Sequence, residues 1–273
     1  MTNGFHIVVC GSLVPDPLQT LIPVEGPTGP SLKNEMMLPV VLDPWAGHAL
    51  YEAAHLAKQH AGSKVWLVSL GPKAKLQQLM MTIAQKIPFE LVVLDGTASG
   101  FADASEVAKA LAGAIQNIQG LDKEKLLVFG GCASASRDAG VTMQTVGEHL
   151  GIYNQFLAVD KLEIDSAEES AKSMKIWERV EGGQYQVSCC PVGPAVLAWA
   201  TGSLPEPPNN PQVGMMNMRT IMPALQRAVP TAISSDHISY TKVEVPQQQR
   251  ETVIVKDTPA DDIAREIVEW IGN

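Results

Sequence analysis

The chain is short of positive charge. Its 273 residues hold 20 Lys and Arg against 29 Asp and Glu, a formal net charge of −9, whereas nucleic-acid binding needs a clustered cation excess to neutralise phosphates. Partners are therefore expected among proteins and small molecules, not nucleic acids. Cysteine is scarce too: Cys10, Cys132 and the adjacent Cys189 and Cys190 are all there is. That spacing fits neither a secreted disulfide framework nor C-x-x-C metal ligands, so four reduced thiols in a cytoplasmic protein are expected. No apolar run approaches the ~18 residues of a membrane span. The opening residues, MTNGFH, put no basic segment ahead of an apolar one, so neither a signal peptide nor membrane insertion is expected.

Several catalytic motifs are missing as well. No G-x-G-x-x-G follows the first apolar run, and no G-x-x-x-x-G-K-[ST], H-E-x-x-H, G-x-S-x-G or EF-hand pattern occurs. Hydride transfer, nucleotide hydrolysis, zinc hydrolysis and triad catalysis thus lack their local requirements. The six histidines are scattered, and no metal site is expected.

What is present is a chain with 45% apolar residues, enough for one substantial core. Residues 5–10 (FHIVVC) read as a buried strand, and Pro15 and Pro17 then forbid an immediate helix. Residues 20–33, rich in Gly and Pro, read as a loop or small hairpin. From Pro44 to Gln59 a helix is expected, with Asp43 as its cap and Pro44 in its first position. Strands at 64–70, 90–94 and 125–130 then alternate with helices at 73–86, 102–118 and 142–150. Such alternation predicts a doubly wound, mainly parallel α/β sheet with helices on both faces. Runs at 159–164, 173–180 and 185–190 predict an antiparallel meander added to it, and 194–200 one more buried strand. Residues 204–211 (LPEPPNNP) read as an exposed loop, 220–226 as a short helix and 251–255 as a terminal strand. A last helix is expected at 258–271, capped by Thr258. It suits packing on a partner subunit or on its own domain, and the sequence leaves both open.

The best place for a ligand is residues 130–145 (GGCASASRDAGVTMQT), small and hydroxyl-rich between a strand and a helix. Ligands of open parallel sheets bind beyond the carboxyl ends of the strands. Free N–H groups at the start of the helix at Thr142 attract phosphate oxygens, and Arg137 supplies a matching charge. The same run also reads as a surface loop before a capped helix, and both readings stand.

Several segments share an order. IVVCGSLVPDP (7–17) resembles the opening strand and V-P-D loop of electron-transfer flavoprotein beta subunits. DPWAGHALYEAA (43–54) resembles their N-P-[YF]-x-x-x-A-[LV]-E-E-A segment, and VSLGP (68–72) their V-S-x-G-P. Residues 129–147 stand where that family has its nucleotide loop, IWERVEGG (176–183) where it has a strand ending in Gly-Gly, and PAVL followed by LPEP (194–207) where it has P-A-V-[LV] and L-N-E-P. Taken together over residues 5–225 these resemble a divergent beta subunit of the electron-transfer flavoprotein family.

The resemblance implies a nucleotide-binding domain at 1–228 and an arm and helix at 229–273 that contact a larger alpha subunit. It implies AMP in this subunit, or a second FAD if the protein is of the electron-bifurcating type, with the redox FAD mainly on the alpha subunit. Nucleotide contacts would fall on Cys10, Asp43, Pro44, Trp45, Ala46 and Leu70, and on Gly131, Cys132, Ala133, Ser134, Arg137, Asp138, Gly140, Val141 and Thr142. An exposed residue on the loop beyond LPEP, near Val213, would dock on a flavin-dependent, acyl-CoA-type dehydrogenase, with a membrane quinone oxidoreductase as the other electron partner. The chain would carry electrons with its partner and have no substrate-turnover site of its own. The chain departs from the family where Asp43 replaces an Asn, Arg137-Asp138 an acidic pair, and Arg179 an acid. Two other readings use the same residues: a stand-alone adenine-nucleotide-binding regulator, and an enzyme with a thiol nucleophile at Cys132.

Overall fold

The computed structural model describes residues 4–27, 29–97, 100–136, 140–165, 173–233, 238–245 and 254–272. The first strand, β1 (His6–Cys10), is buried on both faces: Ile7 and Val9 project to one side, Val8 and Cys10 to the other. A short β2 (Leu13–Pro15) follows and pairs antiparallel with β5 (Val40–Leu42), and between them β3 (Pro23–Gly26) and β4 (Gly29–Leu32) form a hairpin. The hairpin alternative for the Gly/Pro-rich stretch is thus the one the chain adopts.

Helix α1 (Pro44–Gln59) starts as its sequence dictates, with Pro44 in the first turn and the Asp43 carboxylate accepting from the Trp45 N–H at 3.2 Å. Its apolar stripe of Ala46, Ala49, Leu50, Ala53 and Leu56 is buried. Next come β6 (Lys64–Gly71), α2 (Lys73–Ile83), β7 (Glu90–Asp95), α3 (Ala104–Gln116), β8 (Leu126–Gly131) and α4 (Thr142–Leu150). The meander is β9 (Asn154–Asp165), β10 (Ser173–Val180) and β11 (Gln184–Pro191), paired antiparallel. Strand β12 (Ala195–Trp199) returns to lie parallel to both β8 and β9. Helix α5 (Pro211–Gln226), the two-residue β13 (Val229–Pro230) and helix α6 (Ala260–Ile271) complete the described elements.

The nine-stranded sheet runs β11-β10-β9-β12-β8-β1-β6-β7-β13. Side chains of α1, α2 and α5 fill one face, and those of α3 and α4 fill the other, the doubly wound α/β arrangement the alternation predicted. The chain winds outward from β1 through β6 to β7, then crosses back to lay β8 on the opposite side of β1. Strand order therefore reverses between β1 and β8, and the loops at their carboxyl ends diverge to leave a crevice.

Three expectations need correcting. Helix α5 begins at Pro211, nine residues before the short helix expected at Thr220. Asn210 caps it by accepting from the Gln212 N–H at 3.0 Å, and Pro211 sits at its first position. The proline run that reads as a breaker is, at its end, a helix start. Thr258 does not cap α6: its hydroxyl donates to the Lys256 carbonyl, and the helix begins at Ala260. Of the expected strand at 251–255, residues 251–253 lie outside the described residues, and Ile254 and Val255 are not in a strand.

The chain divides into two compact units, Met1–Val243 and Glu244–Asn273. The first continues past residue 228 because Val229 and Pro230 pair with Leu94 and Asp95, and the Tyr240 hydroxyl donates to the Phe101 carbonyl at 2.9 Å. The second contains α6, whose Ile267, Val268, Trp270 and Ile271 are exposed within its own unit. No helix among the described residues is long and apolar enough to cross a membrane.

Candidate functional site

The crevice at the strand-order reversal is built from four directions. Strand β1 ends there in Cys10, β6 contributes Leu70, and β8 ends in Gly131. The amino end of α1 adds Asp43 and Ala46, the loop after β8 adds Ala133, Ser134 and Gly140, and α4 opens into it with Thr142. These nine positions, separate in sequence, are the ones the resemblance marked and the fold brings to one lining.

Asp43 ties the pieces together. It is 6% exposed. Its Oδ2 accepts from the Ser134 hydroxyl at 2.8 Å and from the Ala135 N–H at 3.2 Å, while its Oδ1 caps α1. Its own N–H donates to the Ser12 carbonyl at 3.0 Å. One buried residue thus joins three segments: its carboxylate ties the start of α1 to the loop after β8, and its backbone N–H ties both to the loop after β1. Gly131 is required at its place: a Cβ there would lie 2.5 Å from the Trp45 Cβ and 2.7 Å from the Ala133 carbonyl oxygen, so only glycine lets the strand end pass so close.

Among the described residues helix α4 opens without a side-chain cap, which leaves its first-turn N–H groups without the usual side-chain acceptor there. The remaining lining is apolar or hydroxyl: Leu13, Val14 and Met143 form the walls, and Ser12, Thr97 and Ser136 the polar points. Asp43 is the single charged residue among the described lining residues. Burial pushes the Cys10 thiol up to about 12, so it stays protonated and acts as a small apolar contact. Such a lining suits a flat, largely uncharged ring system with a sugar, and the end of α4 suits one anionic group.

The other expected residues fall elsewhere. Pro44 is exposed; Trp45 stands behind Gly131; Cys132 is half-buried with its N–H donated to the Trp199 carbonyl at 2.8 Å; Val141 is 50% exposed. None of these four lines the crevice. Arg137 and Asp138 lie outside the described residues. Thr97, not among the expected residues, also lines the crevice; it follows the end of β7, where the rule that points to strand carboxyl ends covers it. Val213, expected exposed on a loop, is half-buried in the first turn of α5, where Met215 and Met216 are 68% and 66% exposed instead. Among the described residues, no three His, Cys, Asp or Glu are placed to hold a metal ion.

The space within the crevice is small, about 60 Å³, against ~300–1,000 Å³ for typical small-molecule sites. As it stands the crevice is therefore narrower than a bound small molecule requires.

A family model described as the electron transfer flavoprotein domain matches residues 36–233. No curated protein matches the sequence.

Proposed function

Since the chain belongs to the electron transfer flavoprotein domain family, we propose that it is the beta-type subunit of a heterodimeric electron-transfer flavoprotein. It holds an adenine nucleotide as a structural element and helps a larger alpha subunit pass electrons from or to flavin-dependent dehydrogenases. The observation that carries this reading is the convergence of Cys10, Asp43, Leu70, Gly131, Ser134 and Thr142 on one crevice at the strand-order reversal.

The residues fit AMP better than a second FAD. The crevice is narrow, its wall is apolar with hydroxyl groups for a sugar, and α4 offers one set of first-turn N–H groups, uncapped among the described residues, for one phosphate. Bound AMP would supply no chemistry; it would fill and fix the loop after β8. Redox chemistry belongs to FAD on the alpha subunit, and this chain contributes a surface and no turnover site of its own. Helix α6, with Trp270 80% and Ile271 72% exposed, offers an apolar face of the kind a permanent subunit contact buries.

The test is composition. A tagged copy purified from its native host should bring down a larger yellow subunit, and gentle denaturation should release one FAD and one AMP per heterodimer. Two FAD with no AMP would make it the bifurcating type. A colourless, stable monomer would refute the subunit reading.

A further inference from the structure

A second cleft opens at the opposite, amino-terminal end of the strands and shares no lining residue with the nucleotide crevice among the described residues. Its volume is about 800 Å³, inside the ~300–1,000 Å³ range of small-molecule sites. Val65, Ile87 and Phe89 form an apolar floor, flanked by Ala54 and Ala57 of α1 and by Met216 of α5.

One polar group in its wall is unusual. Asn217 is 4% exposed, and its Nδ2 donates to the carbonyls of Ala84 at 2.7 Å and Ile87 at 2.6 Å. Both amide protons are thereby used and the amide's orientation is fixed, because a flip would set oxygen against two oxygens. Its Oδ1 is left with no partner among the described residues. The residue is buried but this oxygen is not sealed off from solvent, so it is an acceptor open to a donor from the cleft.

The rim is cationic in a chain of net charge −9. Lys58 and Lys64 are exposed at the cleft edge, Lys64 with its ammonium 5.9 Å from the Trp66 ring. Of the neighbouring acids, Glu206 pairs with Lys86, and Glu90 accepts from the Trp66 indole N–H at 3.1 Å but keeps its charge, so the two exposed lysines outnumber the one unpaired carboxylate.

We infer that this cleft binds an apolar organic anion that carries one N–H donor, of the N-acyl amino acid class. The acyl chain lies on the floor, the amide N–H meets the Asn217 Oδ1, and the carboxylate faces Lys58 and Lys64. The hydrocarbon supplies most of the affinity, the lysines select charge, and Asn217 selects amide over ester.

N-octanoylglycine titrated calorimetrically into the purified protein, with whatever subunit accompanies it, should bind saturably. Its neutral analogue N-octanoylglycinamide, and octanoate, which lacks the amide, should each bind several-fold more weakly. The exposed pair Lys58→Ala/Lys64→Ala should fold normally, as circular dichroism would show, and erase the preference for the anion. Ala57→Trp, which fills the cleft, should abolish binding of all three. Absence of saturable heat at millimolar ligand, equal affinity for the glycinamide, or binding indifferent to the lysine pair would each overturn the assignment. Nucleotide content reads the other crevice, so its failure is separable from this one.

Discussion

The hydroxyl of Ser134 donates to Oδ2 of Asp43 across 2.8 Å, a contact between residues 91 positions apart that fastens the loop after β8 to the first turn of α1. The carboxylate does this while capping the helix, so its removal acts twice. Asp43→Ala should lower stability by about 1–2 kcal/mol for the lost cap alone and free the loop as well. Asp43→Asn keeps the acceptor for Trp45 but leaves the Ala135 N–H facing an amide nitrogen, and should fall between. Urea midpoints would rank the three; an Ala variant as stable as the parent would show that the carboxylate is not the fastening.

Nucleotide content should respond to Arg137. It lies within the loop after β8 in sequence, and a guanidinium on a phosphate makes charge-assisted, two-pronged bonds. Arg137→Ala should reduce AMP per heterodimer and leave the FAD of the alpha subunit unchanged. If AMP stays stoichiometric after gel filtration, the phosphate is held by the uncapped N–H groups of α4 without help from Arg137.

Electron exchange with a dehydrogenase should depend on Met215 more than on Val213. The valine is half-buried in α5, with its N–H 3.5 Å from the Asn210 side chain, whereas Met215 is exposed on a flexible, polarisable side chain. Loss of a docking anchor costs about 2 kcal/mol or more, so Met215→Asp should slow stopped-flow reduction by the true partner at least several-fold with flavin content intact. Val213→Asp should instead lower the melting temperature. The reverse pattern would return the anchor to Val213.

Stability should fall on mild acidification because of His6. Its Nδ1 accepts the Asp122 N–H at 2.7 Å. Burial holds its pKa below the usual 6.5, with the Asp122 carboxylate opposing and Lys64 and Lys125 adding to the shift. The folded state thus disfavours the charged ring, and the unfolded chain takes up the proton first. This contribution is complete above pH 6.5 and is lost as pH falls through the lowered folded value. Melting temperatures from about pH 8 to pH 5.5 should drop for the parent and flatten for His6→Gln; parallel curves would exonerate His6.

Much of this was legible in the sequence where one residue does one local job. Asp43 before Pro44 signals a helix start, and the alternation of β-branched runs with apolar stripes gives the parallel sheet. The crevice positions could be marked because strand ends are local and the sheet converts them into neighbours. What escaped was context. Asn210-Pro211 is a cap only because Gly214 and Asn217 then pack against Gln85 and the Ala84 carbonyl, contacts spanning well over a hundred residues. Val213 reads as exposed, yet in the helix it is half-buried. The free oxygen of Asn217 was equally invisible, since it follows from two carbonyls elsewhere in the chain claiming its protons.

The two margins of the sheet differ. Strand β13 has only two residues, and the second, Pro230, offers no N–H to a further strand. Strand β11 runs for eight residues and is exposed along most of its length. Accretion of another strand, whether from a folded companion or from a neighbouring copy during misassembly, therefore has its open route along β11. Self-association of this chain should be governed by residues 184–191, and solubility should be adjustable there without disturbing the crevice between β1 and β8.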